Sequence, residues 1–184
     1  MDLKSIQSNW FDQMDRVTAA VQAEFGALSP EALNWKPQPE AWSIAQNLDH
    51  LIVINKTYYP VIDQVRNNSY QLPWLGKWPF AYNMLGKMIL NAVKPEQKRK
   101  TKTFPIWEPT QSNISGDIVQ RFSQHQTEMK GFIVSCEDLL LKNTIIASPA
   151  NKNIVYTLKT AFDIIIAHEQ RHLEQARAIH RELA

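Results

Sequence analysis

The sequence predicts an all-α protein built on four long helices. Three observations carry that expectation. Apolar residues recur at helical spacing in four separate stretches. Helix-start chemistry stands at the head of several of them. The length, 184 residues, suits one domain, 1–184, with a sizeable core.

The first helix is expected over Leu3–Phe25, with Ile6, Trp10, Phe11, Met14, Val17 and Val21 on one stripe and Gly26 as its stop. Ser29-Pro30-Glu31 then reads as a capped short turn. Ser43 followed three residues later by Gln46 is a capping box, so the second long helix starts there and runs from about Ile44 to Arg66. Pro60 inside it should kink it or end its first section. Residues 67–113 form a long connection with a short helix near Phe80–Val93. That connection is either a lid or pocket wall, or a crossover covering one side of the helices. The third long helix is expected over about Ser115–Leu141, and the fourth over Thr157–Glu182 with Thr157 as cap.

Composition narrows the function. Net charge is +2, too small to argue for nucleic acid. The basic run Lys94, Lys98, Arg99, Lys100 and Lys102 reads as a solvated loop rather than a phosphate contact. The one cysteine, Cys136, excludes an internal disulfide, suits a reducing cytoplasm and reads as a small core residue. No stretch is apolar enough to span a bilayer, and the N-terminal residues lack a secretory hydrophobic run. The expectation is a cytoplasmic protein with neither membrane nor nucleic-acid partner.

The chemistry concentrates in His168-Glu169-Gln170-Arg171-His172. Residues i and i+4 share a helix face, so two imidazoles at this spacing can close on one divalent ion. Two solvated surface histidines would show the same bare spacing. Here, however, Ala161, Ile164, Ile165, His168, His172, Gln175 and Ile179 fall near one stripe, which turns the rings toward the core, where an unpaired imidazole is costly. H-E-x-x-H also matches zinc proteases. The protease reading fails downstream: Gln175 and Ala178 stand where metzincins need Gly and His, and only twelve residues follow His172. A third ligand must come from upstream, and His50, about two turns into the second helix on an apolar face, is the candidate. His125 reads as a surface or rim residue, and His180 falls off the stripe. Gln175 could orient a ligand or a bound water, or make an ordinary helix-face hydrogen bond. Glu169, off the stripe by about 100°, reads as a solvated carboxylate near Arg171 and Lys159 rather than a base.

At this point the chain resembles the DinB-like family, the DinB/YfiT-like metalloenzymes. Trp35-Lys36-Pro37, Trp42-Ser43-Ile44, Asn47-Leu48-Asp49-His50-Leu51 and Ala167-His168-Glu169-Gln170-Arg171-His172-Leu173-Glu174-Gln175 carry the resemblance, which covers roughly residues 5–180. It implies a four-helix bundle of that type and one divalent metal held by three histidines, mapping onto His50, His168 and His172. Zinc or nickel is favoured, with iron, cobalt or manganese as further candidates. Relatives include bacillithiol-dependent S-transferases and a mycothiol-dependent isomerase. The resemblance thus implies a thiol S-transferase acting on a small molecule. The alternatives are a hydrolase using metal-bound water and a non-catalytic metal- or ligand-binding bundle. Tryptophans outside the core, together with the resemblance, imply a homodimer.

Overall fold

In the computed structural model, residues 2–96, 103–109 and 111–183 are described. The helices, in chain order, are α1 (Leu3–Phe25), α2 (Pro30–Asn34), α3 (Ile44–Lys56), α4 (Tyr58–Arg66), α5 (Pro79–Val93), α6 (Ile118–Ser135), α7 (Glu137–Leu141) and α8 (Leu158–Leu183). A hairpin, β1 (Ile145–Ser148) and β2 (Asn151–Thr157), precedes α8. The fold is a four-helix bundle. Helices α1, α6, α3 and α8 pack as a closed ring in which each touches two neighbours, and α5 lies outside against β2 and α8.

Local chemistry explains most boundaries. Asp2 caps α1 through Ser5 N–H, and Ser29 caps α2 through Ala32 N–H. At α3 both arms of the capping box form: Gln46 N–H donates to Ser43 Oγ and Ser43 N–H to Gln46 Oε1, each at 3.1 Å. Thr157 Oγ1 accepts from Thr160 N–H at 3.0 Å and starts α8.

Two expected helices are each divided. Pro60 supplies no donor for the Lys56 carbonyl, so the second helix breaks at Thr57 into α3 and α4. The third breaks at Cys136 into α6 and α7, a tight turn that sends Leu139 into the core and leaves Leu141 exposed. The hairpin is not expected from the periodicity of the sequence. It is antiparallel, pairs Ile146 with Tyr156 and Ala147 with Val155, and carries an irregularity between Ala147 and Ser148. Cys136 is fully buried, as a core residue should be. Among the described residues no helix is long and apolar enough to cross a membrane. The basic stretch from Lys98 to Lys102 lies outside the described residues.

The core comes in two apolar halves. One gathers Trp10, Met14, Ile62, Met129, Ile133 and Phe162; the other gathers Val17, Val21, Leu48, Phe122, Leu173 and Ala176. Between them lies a layer of buried polar side chains: Asn55 on α3, His125 and Gln126 on α6, and Glu169 on α8. Asn55 Nδ2 and Gln126 Nε2 both donate to Glu169 Oε1, at 2.8 and 2.9 Å. Three helices are thereby tied together at mid-bundle, in surroundings where an unpaired polar group is costly.

This layer corrects two expectations. Glu169 is fully buried, not solvated. The buried face of α8 is broad: it takes in Ala161, Ile164, Ile165, His172 and Ile179 from the expected stripe, and also Phe162, Ile166, Glu169, Leu173 and Ala176, with His168 half-buried. His125 is 1 % exposed, not a rim residue.

Candidate metal centre

The capping box sets where α3 begins, and hence the direction of every side chain on it. Asn47 and His50, three residues apart, both face α8. Their counterparts His168 and His172 are one turn apart on α8. One ring nitrogen from each of His50, His168 and His172 lies within 4.8 Å of the others. His50 and His172 are buried and His168 is half-buried. The two helices therefore bring all three sequence-selected histidines to one point.

The supporting hydrogen bonds decide which nitrogens are available. His50 Nδ1–H donates to the Trp107 carbonyl at 2.7 Å. His172 Nδ1 lies 2.7 Å from Asn47 Oδ1. Asn47 cannot be turned the other way, because its Nδ2 donates to the Ser43 carbonyl at 2.8 Å. His172 must therefore carry its proton on Nδ1. Both rings then present a bare Nε2 lone pair, the tautomer that an outer hydrogen bond selects in metal-binding histidines. His172 Nε2 stands 3.0 Å from His168 Nε2. Either His168 donates a proton across that gap, or two lone pairs face each other and a cation relieves them.

Electrostatics agree. Burial pushes all three imidazoles below the usual histidine range: His50 downward against the pull of its Trp107 bond, His172 well below that range, and His168 to about 3. The neighbouring histidines and Arg171 add to the depression at His172. Three neutral nitrogen donors fit a divalent ion of borderline softness.

Trp42 completes the enclosure. Its ring stacks on His172 at 5.8 Å and 19°, and meets His50 edge-on at 4.8 Å. The centre opens into a cleft of about 800 Å³, walled by Tyr58, Trp107, Tyr156, Ile164 and the inner side of α5. The Tyr58 and Tyr156 hydroxyls pair at 2.9 Å. Burial pushes Tyr156 up to about 12 and holds Tyr58 well above the usual tyrosine range, so both stay protonated.

Part of the connection expected as lid or crossover, residues 89–93 and 103–109, does line the cleft. Gln175 is exposed on the cleft edge, and the His50 and His172 rings are oriented by the Trp107 carbonyl and Asn47. Neither is marked by the sequence pattern, although Asn47 stands in the same motif as His50. Glu169 is not in the cleft lining, so the H-E-x-x-H spacing here places its carboxylate away from the three-histidine cluster. His180 packs edge-on against Phe25, off the site.

A family model described as the DinB superfamily matches residues 13–176. The chain belongs to that superfamily. It is similar to the uncharacterized protein YuaE of Bacillus subtilis (strain 168), with 26% identity over 161 residues, covering 87% of this chain and 90% of YuaE. Among solved structures it resembles YfiT from Bacillus subtilis, described as a probable metal-dependent hydrolase with an unusual four-helix bundle topology. That match has a TM-score of 0.54 and 11% identity, and spans 99% of this chain and 89% of YfiT. At that identity the likeness concerns the fold, and it agrees with the DinB assignment.

Proposed function

We propose that this DinB-superfamily protein is a metal-dependent enzyme for small molecules, with His50, His168 and His172 as ligands of one divalent ion. We take its activity to be the transfer of a low-molecular-weight thiol to an electrophile. The observation that carries the metal reading is the pair of Nδ1–H anchors, Trp107 carbonyl and Asn47 Oδ1, which leave bare nitrogens at a shared point. A divalent ion held there supplies Lewis acidity that favours thiolate over thiol.

The thiol reading is supported by where Glu169 goes. A hydrolase of the H-E-x-x-H kind needs its carboxylate beside the reacting water. Here that carboxylate is tied to Asn55 and Gln126 in the bundle core. A thiol, with its lower pKa, needs no such base. The thiolate sulfur would bond to the electrophilic carbon, the leaving group would depart with its electron pair, and the thiol proton would pass to solvent. Trp42 packs on the rings of His50 and His172 and fixes one side of the site. Tyr58, Tyr156 and Ile164 offer an apolar wall to the body of the electrophile. Hydrolysis is the second reading, favoured by the fold shared with YfiT.

Metal analysis should find about one ion per chain, lost in His172→Ala and bound 10–100-fold more weakly in Asn47→Ala. Thioether formation from a small thiol and a chlorinated aromatic should then depend on the ion. Turnover of an activated ester without any thiol, and none with it, would move the assignment to hydrolase. A purified chain that binds none of zinc, nickel, iron, cobalt and manganese would end both.

A further inference from the structure

Ten large apolar side chains are exposed among the described residues, and half of them sit close together in sequence. Trp74 begins a 3₁₀ turn at Trp74–Lys77, Trp78 ends it, and Phe80, Met84 and Met88 follow on α5. Each is at least half exposed, with Phe80 at 78 %. On α5 the spacing 80, 84, 88 is one continuous outer stripe. The opposite side of the helix is occupied: Gly86 is buried, and Ile89, Leu90 and Val93 pack on the core. The outer stripe therefore has no role in holding α5 to the bundle.

Charge says what could cover it. From Gln64 to Pro95 the sequence carries Arg66, Lys77, Lys87 and Lys94 and no aspartate or glutamate. Lys77, Lys87 and Lys94 are all exposed. We propose that the 3₁₀ turn and the outer face of α5 form a docking surface for an anionic lipid bilayer.

Tryptophans at the rim, a Phe-Met-Met stripe and lysines without carboxylates are the combination that an interfacial helix presents to lipid headgroups. A second copy of the chain fits poorly. A two-fold contact sets the patch against itself, bringing the lysines of the two copies together without an acid from the same stretch between them. The absence of a spanning segment, which underlies the expectation of no membrane partner, does not bear on a helix lying in the interface. The inner side of the same helix, Ile89, Ala92 and Val93, walls the cleft. Docking would hold the cleft beside the bilayer, whatever reaction it hosts.

Co-sedimentation with extruded vesicles tests this directly. The full chain should pellet with phosphatidylcholine–phosphatidylglycerol vesicles and far less with phosphatidylcholine alone, and added salt should weaken the binding. Lys77→Ala and Lys87→Ala should each weaken partition roughly fivefold. Phe80→Ser/Met84→Ser should weaken it at least about tenfold, with an unchanged melting curve because both side chains are exposed. If the double variant does not fold, the lysine variants still decide. No pelleting with the anionic vesicles, or pelleting that none of these variants weakens, would overturn the proposal. So would a dimer, seen by sedimentation equilibrium, that the double variant dissociates while vesicles stay unbound; the face would then belong to a second copy.

Discussion

His125 shows how a buried residue reports on folding. It is 1 % exposed, and among the described residues neither ring nitrogen has a hydrogen-bond partner. Burial, then Lys56, pushes its pKa down to about 4, while Glu128, 3.9 Å from Nδ1, pulls the other way. The folded chain therefore holds the ring neutral where the unfolded chain, near 6.5, has begun to take a proton. Stability from this source is intact above about pH 6.5, falls as the pH drops, and is fully lost below about pH 4. The whole effect is roughly 3 kcal/mol. His125→Leu should remove it. Thermal melts at pH 7 and pH 4.5 should show a smaller acid-induced drop in the variant than in the parent. Equal drops would show that His125 is not held neutral.

Helix α5 is held by a close approach at Gly86. A Cβ there would stand 3.0 Å from Tyr156 Cβ and 3.0 Å from Thr160 Cγ2. The first neighbour is anchored in the hairpin and the second in the opening turn of α8, so neither moves freely. Gly86→Val should destabilise by about 1–3 kcal/mol through overpacking, read as a lower melting temperature. Gly86→Ala should cost less, because alanine regains about 1 kcal/mol of helix propensity. A valine variant that melts with the parent would show that the contact has slack. The hairpin matters here because it delivers Tyr156 both to this contact and to the cleft wall. Its Ile145–Thr157 pairing closes directly onto α8, where Leu158 N–H donates to the Thr144 carbonyl at 2.8 Å.

For the molecule as a whole, a metal at the three histidines would tie α3 to α8 across one side of the bundle. Binding to the folded state alone adds stability by mass action, about 2.7 kcal/mol at a hundredfold excess over Kd. For a chain of this size that is roughly 5–10 °C in melting temperature. Zinc or nickel added to the metal-free protein should raise the melting point, a chelator should reverse the rise, and His172→Ala should show neither. A shift in His172→Ala as large as in the parent would place the binding elsewhere. The polar layer of Asn55, Gln126 and Glu169 holds the same helices from inside the core, so the parent should remain folded without the ion.

Helical period, the caps at Ser29, Ser43 and Thr157, and the His168/His172 spacing are local properties. They depend on residues within one or two turns of each other, so four helices and two co-facing imidazoles are legible in the amino-acid sequence alone. His50 is legible too, because its apolar surroundings and the missing downstream ligand leave it as the upstream histidine on a suitable face. The fate of Glu169 and His125 is not. A charged or titratable side chain reads as solvated unless its partners are known, and those partners, Asn55 and Gln126 for Glu169, lie 114 and 43 residues away in the chain. Asn47 and the Trp107 carbonyl are hidden for the same reason: one bonds across 125 residues, and the other is backbone, without a side-chain signature. Packing between distant segments chose which polar atoms meet, and so which nitrogens are left for a metal.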